Sequence, residues 1–447
     1  MLFRSMIGIP LWVSSCQEVR PRWSCSSGRA IKQVKELLIL GGGTAGTMAA
    51  NKLRKALDPK GWRITVIDQD NKHIYQPGLL LLPFGVYTED ELVKERENQF
   101  HKGIEVALGE IDRVDAEHNT VMLTSGREFS YDYLIIASGT TPRPDQTPGM
   151  HDEEWEKSIF EFFTLHGSVA LGKKLAEWEG GKLVVHITEM PIKCPVAPLE
   201  FSFLADAFFE EKGMRDKVDI TFVTPLEGAF TKPVASDQLG DMLSSRNISV
   251  EPDFMIESID NERKVLISMD EREVPFDLLV TVPLNMGADF IARSGLGNDL
   301  NYVPVDKQTL LSKKYNNIFA IGDASDIPAS KAGSVAHFSI DAFAENFVDY
   351  VEGKPMTELF DGHANCFIES GHGKGLLIDF NYDTEPLPGE YPLPGVGPFK
   401  LLKESRINHW GKLGFRWAYW HILLPGRPMP VSSRMSMSGK HQPQSIN

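Results

Sequence analysis

Four aliphatic residues, Leu37-Leu38-Ile39-Leu40, run straight into Gly41-Gly42-Gly43-Thr44-Ala45-Gly46. A strand buried in a parallel sheet reads as a continuous apolar run because both its faces are covered. Glycines in the spacing G-x-G-x-x-G directly after such a strand mark a dinucleotide-binding turn. Gly41 permits the tight turn, Gly43 lets the backbone approach a pyrophosphate, and Gly46 permits close packing of the following helix. Thr47 to Leu57 has the composition of that helix, whose N-terminus offers N–H groups and partial positive charge to phosphates. Arg63 to Asp68 reads as a second strand ending in an acid. Asp68 is placed to accept hydrogen bonds from ribose hydroxyls, and its charge disfavours a 2′-phosphate. The opening is a complete βαβ unit.

Two later segments repeat the design of a buried strand running into a small-residue turn. Tyr133 to Ala137 leads into Ser138-Gly139, and Asn317 to Ile321 leads into Gly322-Asp323. Between them lies a second alternation, with strands predicted at Lys182–Ile187, Asp219–Val223 and Leu278–Val282. The first domain therefore returns after the second, giving an α/β fold of two interleaved Rossmann-like domains. The expected boundaries are 34–150 and 291–352 for the two parts of the first, FAD-binding domain and 151–290 for the second. A C-terminal domain is expected over 353–430, and a disordered polar tail over 431–447. Ser138-Gly139 and Gly322-Asp323, in that order after the first fingerprint, resemble the turns that hold the flavin in two-dinucleotide flavoproteins, and that resemblance implies FAD.

The second domain lacks what an NADH-oxidising protein needs there. After Lys182-Leu183-Val184-Val185-His186-Ile187 comes Thr188-Glu189-Met190-Pro191-Ile192-Lys193-Cys194-Pro195, with no glycine fingerprint and a cysteine in its place. Lys193-Cys194-Pro195, Gly322-Asp323 with Lys331 behind it, and Cys366 together resemble the sulfide:quinone oxidoreductase and flavocytochrome c sulfide dehydrogenase family over roughly residues 35–430. The match looks nearest to bacterial versions. The resemblance implies a glutathione reductase-like arrangement, a flavin-facing Cys194 with Cys366 as its redox partner, hydrogen sulfide as reductant, ubiquinone or menaquinone as oxidant, and a separate sulfur acceptor. It also implies FAD held non-covalently, since Cys16 and Cys25 precede the fold. Hydrosulfide would attack one sulfur of a bridged pair, that of Cys366, and leave a thiolate on Cys194 to reduce the flavin. Two buried free cysteines are the plain alternative.

Lys331, just before a helix starting near Gly333, is either a cation that stabilises charge on a reduced flavin or a surface lysine. Glu200 is either a proton relay or part of a solvated helix face. His186 on an apolar strand reads as a core histidine, His337 is undecided, and no His/Asp/Glu group has metal-ligand spacing.

Trp410, Leu413, Trp417, Trp420 and Leu424 recur at helical spacing beside Lys403, Arg406, Lys412, Arg416 and Arg427. Such a face either lies on a membrane surface or packs on the body or in a dimer contact. Phe380 and Tyr382 are candidates for lining a quinone channel or for core packing. No apolar run is long enough to span a membrane, so a peripheral association is expected. The resemblance favours a bacterial cell membrane, with the mitochondrial inner membrane as alternative. Residues 1–33, with Arg4, Arg20, Arg22 and Arg29 and the single acid Glu18, read as a transit peptide or as a start placed too early. The net charge of -15 argues against a nucleic-acid partner. Self-association into a homo-oligomer stays open. The competing functions are a sulfide dehydrogenase donating to a cytochrome, an NADH:quinone reductase, and a non-catalytic flavin redox sensor.

Overall fold

The computed structural model describes residues 34–429 and 431–441. The expectation for the leader, 1–33, lies outside them. The chain first lays down β1 (Lys35–Leu40), α1 (Thr44–Ala56), β2 (Trp62–Asp68), β3 (Ile104–Leu108) and β4 (Tyr133–Ile136). A second series comes next: β5 (Ile159–Phe160), β6 (Gly181–Ile187), α2 (Ala197–Glu211), β7 (Val218–Val223), β8 (Ile248–Glu251) and β9 (Leu278–Val282). The chain then returns with β10 (Ile318–Ala320) and α3 (Gly333–Val351). It closes with β11 (Ala364–Gly371), β12 (Lys374–Phe380), β13 (Gly389–Leu393), β14 (Gly397–Leu401) and α4 (Arg406–Ala418).

The first five-stranded sheet has the order β10-β4-β1-β2-β3, and every pairing in it is parallel. β10 therefore enters a sheet begun almost three hundred residues earlier, as the repeated strand-turn design predicts. Leu37, Leu38, Ile39 and Leu40 are buried, which is why the run shows no alternation. The second sheet, β5-β9-β6-β7-β8, is also parallel throughout. Ligand crevices in such sheets open at the carboxyl ends of the strands, and the turns carrying Gly41 and Cys194 come after the carboxyl ends of β1 and β6. The third sheet, β11-β12-β14-β13, carries Cys366.

Two expectations need correction. The described part of the tail, 431–441, is not loose. Lys440 bridges backbone with Gly389, and its ammonium pairs with Asp379, whose side chain is fully buried. A buried carboxylate must be compensated, and Lys440 together with His363 (2.7 Å) does so. The aromatic stripe is also not one face. Trp410 and Trp417 are 72% and 62% exposed, whereas Trp420 is 6% exposed and Leu424 fully buried. The cause is local. At Tyr419–Leu423 the helix widens into a π-turn, which changes the residues per turn and rotates the next side chains into the core.

Candidate active site

The glycine turn is built by close approach. A Cβ on Gly46 would stand 1.9 Å from the Gly41 carbonyl oxygen, and one on Gly41 would stand 2.4 Å from that of Ala137. No side chain fits in either place. At Gly43, by contrast, a Cβ would meet nothing within 4 Å, as at Gly139 and Gly333. These three glycines border a single cavity together with Asp68, Ser138, Gly322, Asp323 and Lys331. Ser138 Oγ is buried there with no hydrogen-bond partner among the described residues. Open backbone, a helix N-terminus and an orphaned hydroxyl are what a dinucleotide needs from its cradle.

Asp68 is held by the turn itself. It accepts from the Gly42 N–H (2.7 Å) and pairs with Arg96 (2.9 Å). Burial raises its pKa, opposed by Arg96 and the backbone donors. Arg96, buried in an otherwise polar stretch, had no sequence signal.

Lys331 is no surface lysine. Its ammonium donates to the carbonyls of Asp323 (2.9 Å) and Ser325 (3.0 Å) and stands 3.7 Å over the Tyr302 ring. Burial pushes its pKa down to about 8, against the pull of Asp323 and Asp326. It fixes the Gly322–Asp323 turn while bordering the cavity.

Cys194 occupies the turn after β6 with φ 51°, a left-handed conformation costly for a residue with a Cβ. Its N–H donates to the Lys331 carbonyl (2.7 Å), and Lys193 bridges to Lys331. The cysteine turn is thus clamped to the returning part of the first domain. Cys194 borders the cavity. Cys366 does not; it sits on β11 opposite Ile378, with Ser334 Oγ 3.9 Å from its sulfur. Both are free thiols. Burial, reinforced by the nearby Cys366, pushes Cys194 up to about 12, and burial pushes Cys366 up to about 11. The cation opposing both shifts is Lys412.

Lys412 revises the reading of α4. The sequence places it only among the basic residues beside the aromatic face; in the structure it pairs with the fully buried Glu200 and borders the cavity beside Phe415 and Tyr419. Glu200 is therefore not on a solvated face. Tyr419 hydrogen-bonds to Thr44 (2.8 Å) and His73 (2.7 Å), tying the C-terminal segment to the glycine turn. Burial, then Arg96, drives the His73 pKa down to about 3, so the ring is neutral.

Phe380 and Tyr382 do not border this cavity. Phe380 lies two positions along β12 from Ile378, the partner of Cys366, a displacement of about 7 Å. It is buried near Lys232, and Tyr382 packs on Phe360. His186 is a core histidine, fully buried and bonded to Thr281 (2.9 Å).

The profile of the "Pyridine nucleotide-disulphide oxidoreductase" family matches residues 35–185. The mouse mitochondrial sulfide:quinone oxidoreductase is 25% identical over 398 residues, covering 88% of this chain and 86% of that protein. The sulfide-quinone reductase of Aquifex aeolicus is also 25% identical, over 77% of this chain and 83% of its own. The crystal structure of the Aquifex aeolicus sulfide:quinone oxidoreductase superposes with a TM-score of 0.73 at 21% identity, covering 88% of this chain and 92% of that one. This chain is a relative of the sulfide:quinone oxidoreductases. Its fold is that of the pyridine nucleotide-disulphide oxidoreductases, and a flavin is the cofactor this relationship implies. Equal identities do not favour bacterial relatives over mitochondrial ones. A type II NADH:quinone oxidoreductase of Haemophilus influenzae is 24% identical over 72% of the chain, so the reductant needs a test of its own.

Proposed function

We propose that this chain is an FAD-dependent sulfide:quinone oxidoreductase in which Cys194 and Cys366 form the redox pair. The carrying observation is Cys194 itself. It replaces the second glycine fingerprint and borders the same cavity as the first. The Gly41–Gly46 turn with α1 would hold the pyrophosphate non-covalently, Asp68 a ribose, and Ser138, Gly139, Gly322 and Asp323 the flavin end. FAD supplies two-electron acceptance from sulfur and return of those electrons to a quinone.

The residues set the order of events. In the oxidised enzyme the two sulfurs are bridged. Hydrosulfide attacks the sulfur of Cys366, the sulfur–sulfur bond breaks, and a persulfide on Cys366 and a thiolate on Cys194 result. Burial raises the Cys194 thiol pKa, which makes its thiolate the slower leaving group but the stronger nucleophile once formed. Lys412 offsets part of that rise. A second nucleophile then removes the sulfane sulfur from Cys366, restoring its thiolate for the next bridge. Phe415 and Tyr419 at the cavity give the quinone ring an apolar, aromatic surface. The exposed Trp410, Trp417 and Ile407 support a membrane contact on that side, since amphipathic aromatic side chains settle at the interface. No helix among the described residues is long and apolar enough to cross one.

An anaerobic absorbance titration of the yellow protein tests the reading. Sulfide should bleach the flavin band, added quinone should restore it, and NADH should have no effect. Bleaching by NADH and not by sulfide would make it an NADH:quinone reductase and sink the proposal.

A further inference from the structure

Behind the cavity stands a chain of ionisable side chains whose outer members, Glu369 and His409, the sulfur chemistry does not use. Lys412 and Glu200 face the cavity, and Glu369, three residues after Cys366, lies behind them with its N–H donating to Glu200 (2.9 Å). His409, one turn before Lys412 on α4, bonds to Glu369 through Nδ1 (2.8 Å). Side-chain exposure is 1% at Glu200, 13% at Lys412, 4% at Glu369 and 24% at His409. Of these, His409 is the one most open to water. Two carboxylate oxygens, Glu200 Oε2 and Glu369 Oε1, are buried without a partner among the described residues. Each of these oxygens has an open lone pair on which a proton can be carried.

Given the quinone acceptor proposed above, we propose that Glu369 and His409 are the proton port of the quinone half-reaction, refilling the Lys412–Glu200 pair from the surface. The stoichiometry demands such a port. Oxidation of hydrosulfide to sulfane sulfur releases two electrons and one proton, whereas a quinone takes up two electrons and two protons. One proton per turnover must come from water. Lys412 Nζ gives a proton to a quinone oxygen, breaking an N–H and forming an O–H bond. The resulting amine regains a proton from the carboxyl group of Glu200, and the Glu200 carboxylate regains one from the carboxyl group of Glu369. The Glu369 carboxylate is then protonated by the His409 imidazolium, and His409 takes its proton from hydronium. Each proton moves one place and no electron moves with it.

The electrostatics suit the task. Burial raises both carboxyl pKa values against the pull of Lys412, so either group can carry a proton nearer to neutral pH. Burial opposes the charge on Lys412, but Glu200 and Glu369 outweigh it and keep the ammonium protonated. Charged groups nearby include Arg416, 4.5 Å over the Tyr87 ring, with its partner Glu91 (2.8 Å), and Arg246, which donates to the Ser370 carbonyl and pairs with Glu404 (3.0 Å). From β12 the neighbour of His409 is the uncharged Gly375.

The test separates the half-reactions by anaerobic stopped-flow absorbance on the flavin-loaded full chain, with sulfide as reductant and decylubiquinone as oxidant. In His409→Gln, sulfide bleaching should keep its wild-type rate. Reoxidation by decylubiquinone should slow on the order of 10-fold or more, and added imidazole should restore it. Glu369→Gln should slow the same step without imidazole rescue. If Glu369→Gln fails to fold, the His409→Gln result with its rescue decides alone. Unchanged reoxidation in His409→Gln overturns the port, and so does equal slowing of both half-reactions, which marks a structural role. Failure of sulfide to bleach the wild-type flavin is a different result: it overturns the sulfide reading before the port is reached.

Discussion

The two parallel sheets each end a central strand in a turn that runs into a helix, and the turns solve opposite problems. After β1 the chain removes side chains until backbone touches backbone. At Gly46 the nearest atom to an added Cβ is a carbonyl oxygen 1.9 Å away. After β6 the chain keeps a side chain, Cys194, in a backbone conformation that glycine would adopt more cheaply, and clamps it with the Lys331 carbonyl. The first turn cradles phosphates by the absence of side chains. The second gives up that cradle and presents a sulfur. In one architecture, the turn decides whether a domain binds a dinucleotide or does thiol chemistry.

Substitutions that exchange these roles should have graded effects. The largest is Gly46→Val, which forces side-chain atoms into the turn. We expect flavin affinity to fall by on the order of 100-fold, read from the 450 nm absorbance of protein purified without added FAD. Retention of full flavin by that variant would break the comparison. Cys194→Gly comes next and goes the other way. It should relieve about 1 kcal/mol of left-handed strain, seen as a higher denaturant midpoint, while flavin is retained and sulfide bleaching is lost. A lower midpoint would mean that the thiol, and not its clamp, holds the turn.

Lys331→Met should weaken flavin binding by roughly 10-fold, because two carbonyls of the Asp323 turn lose their donor. The sign of its pH dependence comes from its depressed pKa. The ammonium is charged below about 8 and loses its charge as pH rises through that value, so wild-type flavin affinity should fall above pH 8. The variant should lack this step, which fluorescence titration of the free protein with FAD would show. The smallest effect is expected for Trp410→Ser with Trp417→Ser, which should lower binding to phospholipid vesicles by roughly threefold or more and leave flavin and sulfide bleaching intact. Unchanged vesicle binding in a flotation assay would assign the exposed tryptophans another role.

The amino-acid sequence determined what neighbouring residues can specify. The apolar run of β1, the glycine spacing, the acid ending β2 and the missing second fingerprint each lie within a few residues. Strand, turn and helix preferences act over that range, so the interleaved α/β fold was legible. Lys193-Cys194-Pro195 was legible for the same reason, as a departure from a local pattern. The aromatic stripe was misread because a helical period was carried through Leu424. Packing of Tyr419 on Thr44 and His73, partners hundreds of residues away, goes with a π-turn that the period could not foresee. Tertiary structure alone decided the charges. It placed Lys412 on Glu200, Arg96 on Asp68, Lys331 on the Asp323 carbonyl, and Lys440 on Asp379. An ion pair has no preferred sequence separation, and only burial distinguishes a solvated charge from one that sets the chemistry of a cavity.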